Sequence, residues 1–252
     1  MGRLLTLLRP KGEWTPKKLP GLALWLDASD LSTITHDAGA VSQWDDKSSN
    51  GYHVAQGTAS EQPVTGTRTQ GGRNVIDFAG DDRLLRGGVP ILKNVQHHSV
   101  FMVFGRDAAS GRNDLLYITT ATTFARLLLS SNLVATDYTA TFRRLDADSG
   151  VTAGGGTVDA NPHVMRSTAN FVNGTVSAHL DGAELGTGVV TTGSTSDTNA
   201  SNLVVGATFG VSGTNFLDGF VAEVIVYEAA LTAQQVGDAE IYLASKWGVA
   251  LA

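Results

Sequence analysis

The sequence predicts an all-β protein: a two-sheet antiparallel β-sandwich with one short C-terminal helix and an extended N-terminal arm. Three observations predict it. Short runs of β-forming residues recur along the chain, separated by Gly, Asn and Asp. The composition suits strands and turns, with 29 Gly and 27 Thr among 252 residues. One segment alone, near the C-terminus, repeats its apolar residues at helical spacing. With 42% apolar and 17% charged residues the chain is globular in composition, not disordered. A single domain of this length buries roughly three quarters of its unfolded surface.

Residues 1–20 read as the arm. Pro10, Pro16 and Pro20 keep it extended. Arg3, Arg9, Lys11, Lys17 and Lys18 outnumber Glu13 in residues 1–18, a net charge of +4 against −10 for the remaining 234 residues. A basic arm on an acidic body predicts a tail that docks on another component. Leu4, Leu5, Leu7 and Leu8 give that anchor its apolar side. This Leu run is too short for a secretory core, and Arg9-Pro10-Lys11 follows it, so no signal peptide is expected. No apolar run approaches the ~20 residues of a membrane span, so no membrane insertion is expected.

Residues 21–252 read as one domain. Its β-type runs are Leu22–Asp27, Val75–Phe78, Ser99–Phe104, Leu115–Thr119, Phe124–Leu129, His163–Val172, Val176–Asp181, Leu203–Val205 and Phe220–Tyr227. Asn173-Gly174 lies between two alternating runs and predicts a hairpin with a type I′ turn, which needs positive φ twice. In Phe220–Tyr227, strict alternation puts Phe220, Ala222, Val224 and Val226 on one face. Val221, Glu223, Ile225 and Tyr227 fall on the other. Both faces are mostly apolar, so this strand is expected to be central. Thr232 and Gln235 form a capping box that starts a helix over about 232–247. Val236, Ala239, Leu243 and Trp247 form its apolar stripe, and Gly248 is its C-terminal cap. Many strands, one helix and Gly-rich turns indicate a sandwich of jelly-roll type.

A family resemblance rests on particular segments. Phe216–Thr232 resembles the closing strand of concanavalin A-like (laminin G/pentraxin-type) domains, where a Phe-x-Gly turn leads into the strand and a Leu-Ser/Thr helix start follows it. His163–Gly182 is similar to that family's hairpin, and Leu203–Ala207 to its Ile-Gly strand. Leu24-Trp-Leu-Asp-Ala-Ser29 and Gln43–His53 resemble a variant of these domains found in tailed-phage virion proteins. There a Gly occupies the place of Ser49, so the shape of this turn is open. The resemblance spans roughly residues 20–250. It implies the concanavalin A-like fold, but that fold hosts lectins, hydrolases and purely structural modules.

The residues exclude several chemistries. With no Cys there is no disulfide, thiolate metal site or cysteine nucleophile. A glycosidase needs paired carboxylates, and on one strand that means acids at i and i+2 or i+4. No strand carries such a pair, since Glu223 has Val221 and Ile225 at i±2. His97 and His98 are adjacent in a strand and point to opposite faces, so they do not share an ion. Gly154-Gly155-Gly156 lacks a following helix and reads as a flexible loop rather than a phosphate cradle. Nucleic acid is not an expected partner, because the body is acidic and has no basic, aromatic-interleaved patch.

Some binding chemistry remains. Trp44, Tyr52, Tyr117 and Tyr138 are the candidate stacking plates for a sugar, with packing in the core or rim as the other reading. Asp45, Asp46 and Asn50 form the densest polar turn and are the place for an optional Ca²⁺, which takes roughly six to eight oxygens. Capping of their own backbone is the competing role. No other cofactor is expected. Taken with the phage resemblance, these features imply a non-enzymatic protein exposed on a virion surface: a capsid decoration, head spike or tail appendage. Its arm would hold other virion proteins, and its sandwich would meet host-surface polysaccharide. A purely structural virion connector and a glycan-active hydrolase are the alternatives.

Overall fold

A computed structural model describes residues 14–107, 111–121, 124–131, 137–197, 199–208 and 215–252. Seventeen strands form among them. They are β1 (Leu22–Asp27), β2 (Ile34–Asp37), β3 (Ala40–Trp44), β4 (Val54–Ala55), β5 (Val64–Gln70), β6 (Arg73–Ala79), β7 (Leu84–Val89), β8 (His97–Arg106), β9 (Asn113–Ala121), β10 (Phe124–Ser131), β11 (Tyr138–Phe142), β12 (Val151–Gly155), β13 (His163–Asn170), β14 (Thr175–Leu180), β15 (Ala183–Val189), β16 (Ser201–Val205) and β17 (Asp218–Tyr227). The described helix is α1 (Ala233–Trp247). It is too short to cross a membrane.

All strand pairs are antiparallel and they build two layers. The first sheet runs β15-β14-β13-β8-β17. Beyond β17, β1 pairs with its C-terminal half and β6 with its N-terminal half, and β5 follows β6. The second sheet runs β12-β11-β10-β9-β16-β7-β4-β3-β2. Ala40↔Val64 joins the layers along one margin. At the opposite margin β12 meets β15 through glycines. A Cβ on Gly155 would sit 2.7 Å from the Leu185 carbonyl oxygen, and one on Gly154 would sit 2.6 Å from that of Tyr138. Gly154 and Gly155 are thus close-packed strand residues, not the flexible loop expected, because only a residue without a side chain lets these backbones approach.

The main core lies between the layers. Leu24, Leu26, Met102, Phe104, Val221, Val224 and Val226 face Ile118, Leu127, Leu129, Tyr138, Phe142 and Leu203. A second core covers the outer face of the first sheet, where Trp25, Phe101, Phe220, Ile225 and Tyr227 pack under Ala239, Leu243 and Trp247 of α1. Strand β17 serves both cores and is central, as its two apolar faces predict. The expected alternation fails at one point. A register shift between Val221 and Glu223 breaks the period, so Phe220 and Ala222 share the helix-side face with Ile225 and Tyr227.

Helix α1 begins and ends as its sequence dictates. The Thr232 side chain accepts from the Gln235 N–H at 3.2 Å, and Gln235 Oε1 accepts from the Thr232 N–H at 2.8 Å. Gly248 closes the helix in the left-handed region at φ 67. Gln70 and Arg73, flanking the β5–β6 turn, donate to the Trp247 and Lys246 carbonyls that the helix end leaves open. Trp14 packs at a tilt against Tyr242, 4.7 Å between ring centroids, Leu19 enters the second core, and the Tyr227 hydroxyl donates to the Pro16 carbonyl. The end of the expected arm, residues 14–20, is therefore docked on the helix side.

The turns differ from expectation in kind. Asn170 pairs with Thr175, so Phe171–Gly174 is a four-residue loop, and Asn173 is not among the residues with positive φ. Two-residue turns with positive φ at both positions are Ala38-Gly39, Gly71-Gly72 and Asp181-Gly182, the last at φ 51 and 85. Ser49 sits at φ 88, in the region that favours glycine. This is the position where the family variant carries Gly. Ser49→Gly relieves that strain and is expected to raise the unfolding free energy by about 1 kcal/mol in urea titrations. A loss of stability would show that the serine side chain contributes more than the strain costs.

Candidate functional site

Two parts of the outer face of the first sheet concentrate polar chemistry. The first lies under the C-terminal half of α1. Trp25 and Asp27 point outward from β1, and Asp27 stands directly opposite Glu223 on β17. Glu223 is 0% exposed. Its Oε1 accepts from Trp25 Nε1 at 2.7 Å and the Tyr242 hydroxyl at 3.0 Å. Its Oε2 accepts from Trp247 Nε1 at 2.7 Å and Lys246 Nζ at 2.8 Å. Lys246 Nζ also reaches Asp27 at 2.6 Å, and Lys47 Nζ bridges Asp27 and Asp30 at 2.9 and 2.8 Å. Burial pushes the Glu223 carboxyl up, and Lys246 pulls it back. Burial acts the same way on Asp27, but there Lys246, Ser29 and Lys47 win and hold it below the usual range. Two neighbouring carboxylates thus exist, on adjacent strands rather than along one. Glu223 already accepts four donors and is closed to water, so it acts as a staple between β1, β17 and α1.

The second part is a groove of about 670 Å³ beside the N-terminal half of α1. Its floor is the outer face of β8, β13, β14 and β15. Its wall is Ala229–Leu231 with Ala233, Val236 and Gly237. Ser99, Thr168, Ser177 and Thr187 are direct cross-strand partners and form one row across the floor. His97, Asn170, Thr175 and Val189 form the next row. Thr168 Oγ1 and Ser177 Oγ share a hydrogen bond of 2.7 Å. Beyond them Arg166 Nε donates to Glu240 Oε1 at 2.7 Å. Glu240 is the single carboxylate among the described residues that line the groove.

The residues singled out in the sequence are placed as follows. Trp44 and Tyr138 are 0% exposed in the main core, and Tyr117 is 6% exposed on the outer face of the second sheet against Leu128 and Val204. These three rings offer no face to a sugar, which corrects the stacking expectation for them. Their apolar area is spent on packing. Tyr52 is half-buried against the main core and lies away from the groove. Asp46 anchors its turn: Oδ1 accepts from the Trp25 and Ser48 N–H groups, and Oδ2 from the Tyr52 N–H and the Ser48 hydroxyl. Asp45 accepts from Gln43, and Asn50 donates to the Ala23 carbonyl. These groups are thus engaged by the protein itself, and no cluster of three metal-ligating acids or histidines is found among the described residues. His97 and His98 both border the groove, but His98 is 1% exposed between Phe142 and Phe171, and burial lowers its pKa to about 3. Lys17 and Lys18 are exposed on a 3₁₀ turn. Arg3, Leu4, Leu5, Leu7, Leu8, Arg9 and Lys11 lie outside the described residues.

A third cluster faces away from both parts. His163 is held between two carboxylates, Asp181 at 2.7 Å on Nδ1 and Asp159 at 2.8 Å on Nε2. Asp181 also accepts from the Val164 N–H, and its carbonyl accepts from the Ala252 N–H, so the clamp ties the chain end to the sheet. Burial disfavours the charged ring, and the two carboxylates outweigh it, so the His163 pKa is raised.

This geometry has relatives. Residues 117–237 match the family profile described as the concanavalin A-like lectin/glucanases superfamily. The fold is concanavalin A-like. Domain 4 of an extracellular GH43 arabinanase from Geobacillus stearothermophilus, in complex with arabinotriose, superposes with a TM-score of 0.60 at 13% identity, covering 86% of this chain and 97% of that one. A Trypanosoma rangeli sialidase in complex with sialic acid gives 0.58 at 14% identity, covering 89% of this chain and 33% of that one. Botulinum neurotoxin type C, whose cell entry depends on two ganglioside molecules, gives 0.58 at 8% identity, with 88% and 51% covered. At such identities the likeness is one of fold. No curated protein sequence matches the chain.

Two outcomes follow. Glu223→Ala leaves the Tyr242 hydroxyl and two indole N–H groups without their acceptor and Lys246 with Asp27 alone, and should cost about 3–5 kcal/mol by urea unfolding. A loss below about 1 kcal/mol would mean that the staple is dispensable. The His163 clamp is pH-dependent with a definite sign. Because the folded-state pKa is raised, its contribution is complete below the unfolded value of about 6.5 and is lost as pH rises through the folded value. Thermal melts should therefore show wild type losing stability over that rise relative to His163→Gln. A constant difference across that range would contradict the ion-paired assignment.

Proposed function

We propose that this chain is a non-catalytic carbohydrate-binding protein, carried on the surface of a tailed-phage virion and held there by its basic N-terminal segment. The observation that carries the binding reading is the groove: a concave, hydroxyl-rich sheet face beside a helix wall, on a concanavalin A-like fold. Glycans named with structures of like fold, arabinotriose and sialic acid among them, agree with that reading. A two-carboxylate hydrolysis needs a free acid and a free base flanking one bond. Among the described residues the groove supplies Glu240 alone, and Arg166 holds it. The virion reading rests on the Leu24–Ser29 and Gln43–His53 segments and on the +4 charge of residues 1–18.

A glycan array probed with the full chain tests the first part, with bacterial surface polysaccharides and neutral oligosaccharides displayed. Binding without release of reducing ends is the expected result. Absence of binding to every glycan overturns the carbohydrate reading, and turnover overturns the non-catalytic one. Deleting residues 1–13 tests the second part without removing the docked Trp14 and Pro16. Particles should then incorporate fewer copies, and normal incorporation would overturn the anchoring role.

A further inference from the structure

We propose that the groove takes the end of an uncharged, extended glycan chain, lying across the strands along the Ser99-Thr168-Ser177-Thr187 row. This rests on the carbohydrate reading above and specifies its ligand. The row spans β8, β13, β14 and β15 in direct register. Adjacent strands lie about 4.8 Å apart, so four hydroxyls repeat over roughly 14 Å, the length of roughly three sugar units. The repeat is close to the advance per unit of an extended pyranose chain. Consecutive sugars can therefore meet consecutive strands in the same way. Each hydroxyl has one donor and two lone pairs. The Thr168–Ser177 bond uses one donor and one lone pair, and leaves one donor and three lone pairs of the two hydroxyls for a ligand.

Charge and exposure decide the rest. Among the described residues Arg166 and Glu240 are the only Lys, Arg, Asp or Glu side chains that line the groove, and they neutralise each other. An anionic sugar therefore finds no unpaired guanidinium or ammonium charge, which favours a neutral one. The row also has a closed end and an open end. Ser99 is 4% exposed beside the wall formed by Leu231 and Val236, because the next strand, β17, is roofed by α1. Thr187 is exposed at the other end, next to Val189, which is 77% exposed. A chain that starts at the wall runs outward over β14 and β15, so a terminus is recognised rather than an internal stretch. Among the described residues no Phe, Tyr or Trp lines the groove, so hydroxyl contacts carry the recognition, with Val189 offering an apolar edge to ring carbons.

The test uses the full chain and calorimetry with β-1,4-gluco-, β-1,4-xylo- and α-1,5-arabino-oligosaccharides of one to six units, plus any array ligand cut to the same lengths. Affinity should rise to three units and then level off, and a long polymer should match the trimer per mole of chains. The pair Thr168→Val with Ser177→Ala should weaken binding at least tenfold, with an unchanged melting temperature. Undiminished binding by that pair, steady gains up to six units, polymer potency that scales with residue count, or binding confined to anionic glycans would each overturn the proposal while leaving a carbohydrate-binding protein in place. Binding to no glycan at all would remove both readings.

Discussion

Glu223 is a carboxylate with no contact with water, and the rest of the helix side is built to satisfy it. Desolvating such a group is costly unless donors surround it. Here the four donors come from β1, from the middle of α1 and from its last turn. Strand β1 is the first of the sandwich, β17 the last, and α1 follows it. One side chain thus fixes the beginning of the domain to its end. Asp27 extends the constraint, because it shares Lys246 with Glu223 and adds Lys47 from the turn after β3. A buried network of this kind specifies one arrangement rather than adding much net stability. A helix that slid by one turn would strand the carboxylate.

The groove depends on that fixity. Its floor is rigid by virtue of the antiparallel ladder, but its wall is the segment from Ala229 to the N-terminal half of α1. The capping box sets where the helix starts, and the Glu223 staple sets where its other end lies. Between them the wall is held at a constant distance from the Ser99-Thr168-Ser177-Thr187 row. Preorganisation of that sort matters for a weak polar ligand, which gains little from each hydroxyl contact and loses whatever ordering the site requires.

Much of this was legible in the sequence, and the exceptions have physical reasons. The nine strand runs and the helix with both caps appear where their residues put them, because apolar alternation and capping chemistry are local. β2, β3, β4, β5, β7, β11, β12 and β15 escape such reading. In Val-Thr-Ala-Gly-Gly of β12 and Ala-Glu-Leu-Gly-Thr-Gly-Val of β15, glycines serve neighbouring backbones, not their own strand propensity. The bulge near Glu223 is equally silent, since one extra residue leaves the composition unchanged. The carboxylate pair Asp27–Glu223 joins residues 196 positions apart, and the hydroxyl row spans 88 positions from Ser99 to Thr187. Register alone brings them together, and register is not readable from one strand at a time. The aromatic residues misled for the opposite reason: Trp44, Tyr117 and Tyr138 have the right chemistry for a sugar, but the core claims them.

Native-state hydrogen exchange tests the central claim most directly, that α1 and the sandwich are one unit locked by Glu223. If so, amides of Ala239–Trp247 exchange only through the global opening that also exposes β1 and β17, with equal protection free energies. Exchange of α1 through a separate opening of much lower free energy, with β17 still protected, would contradict it.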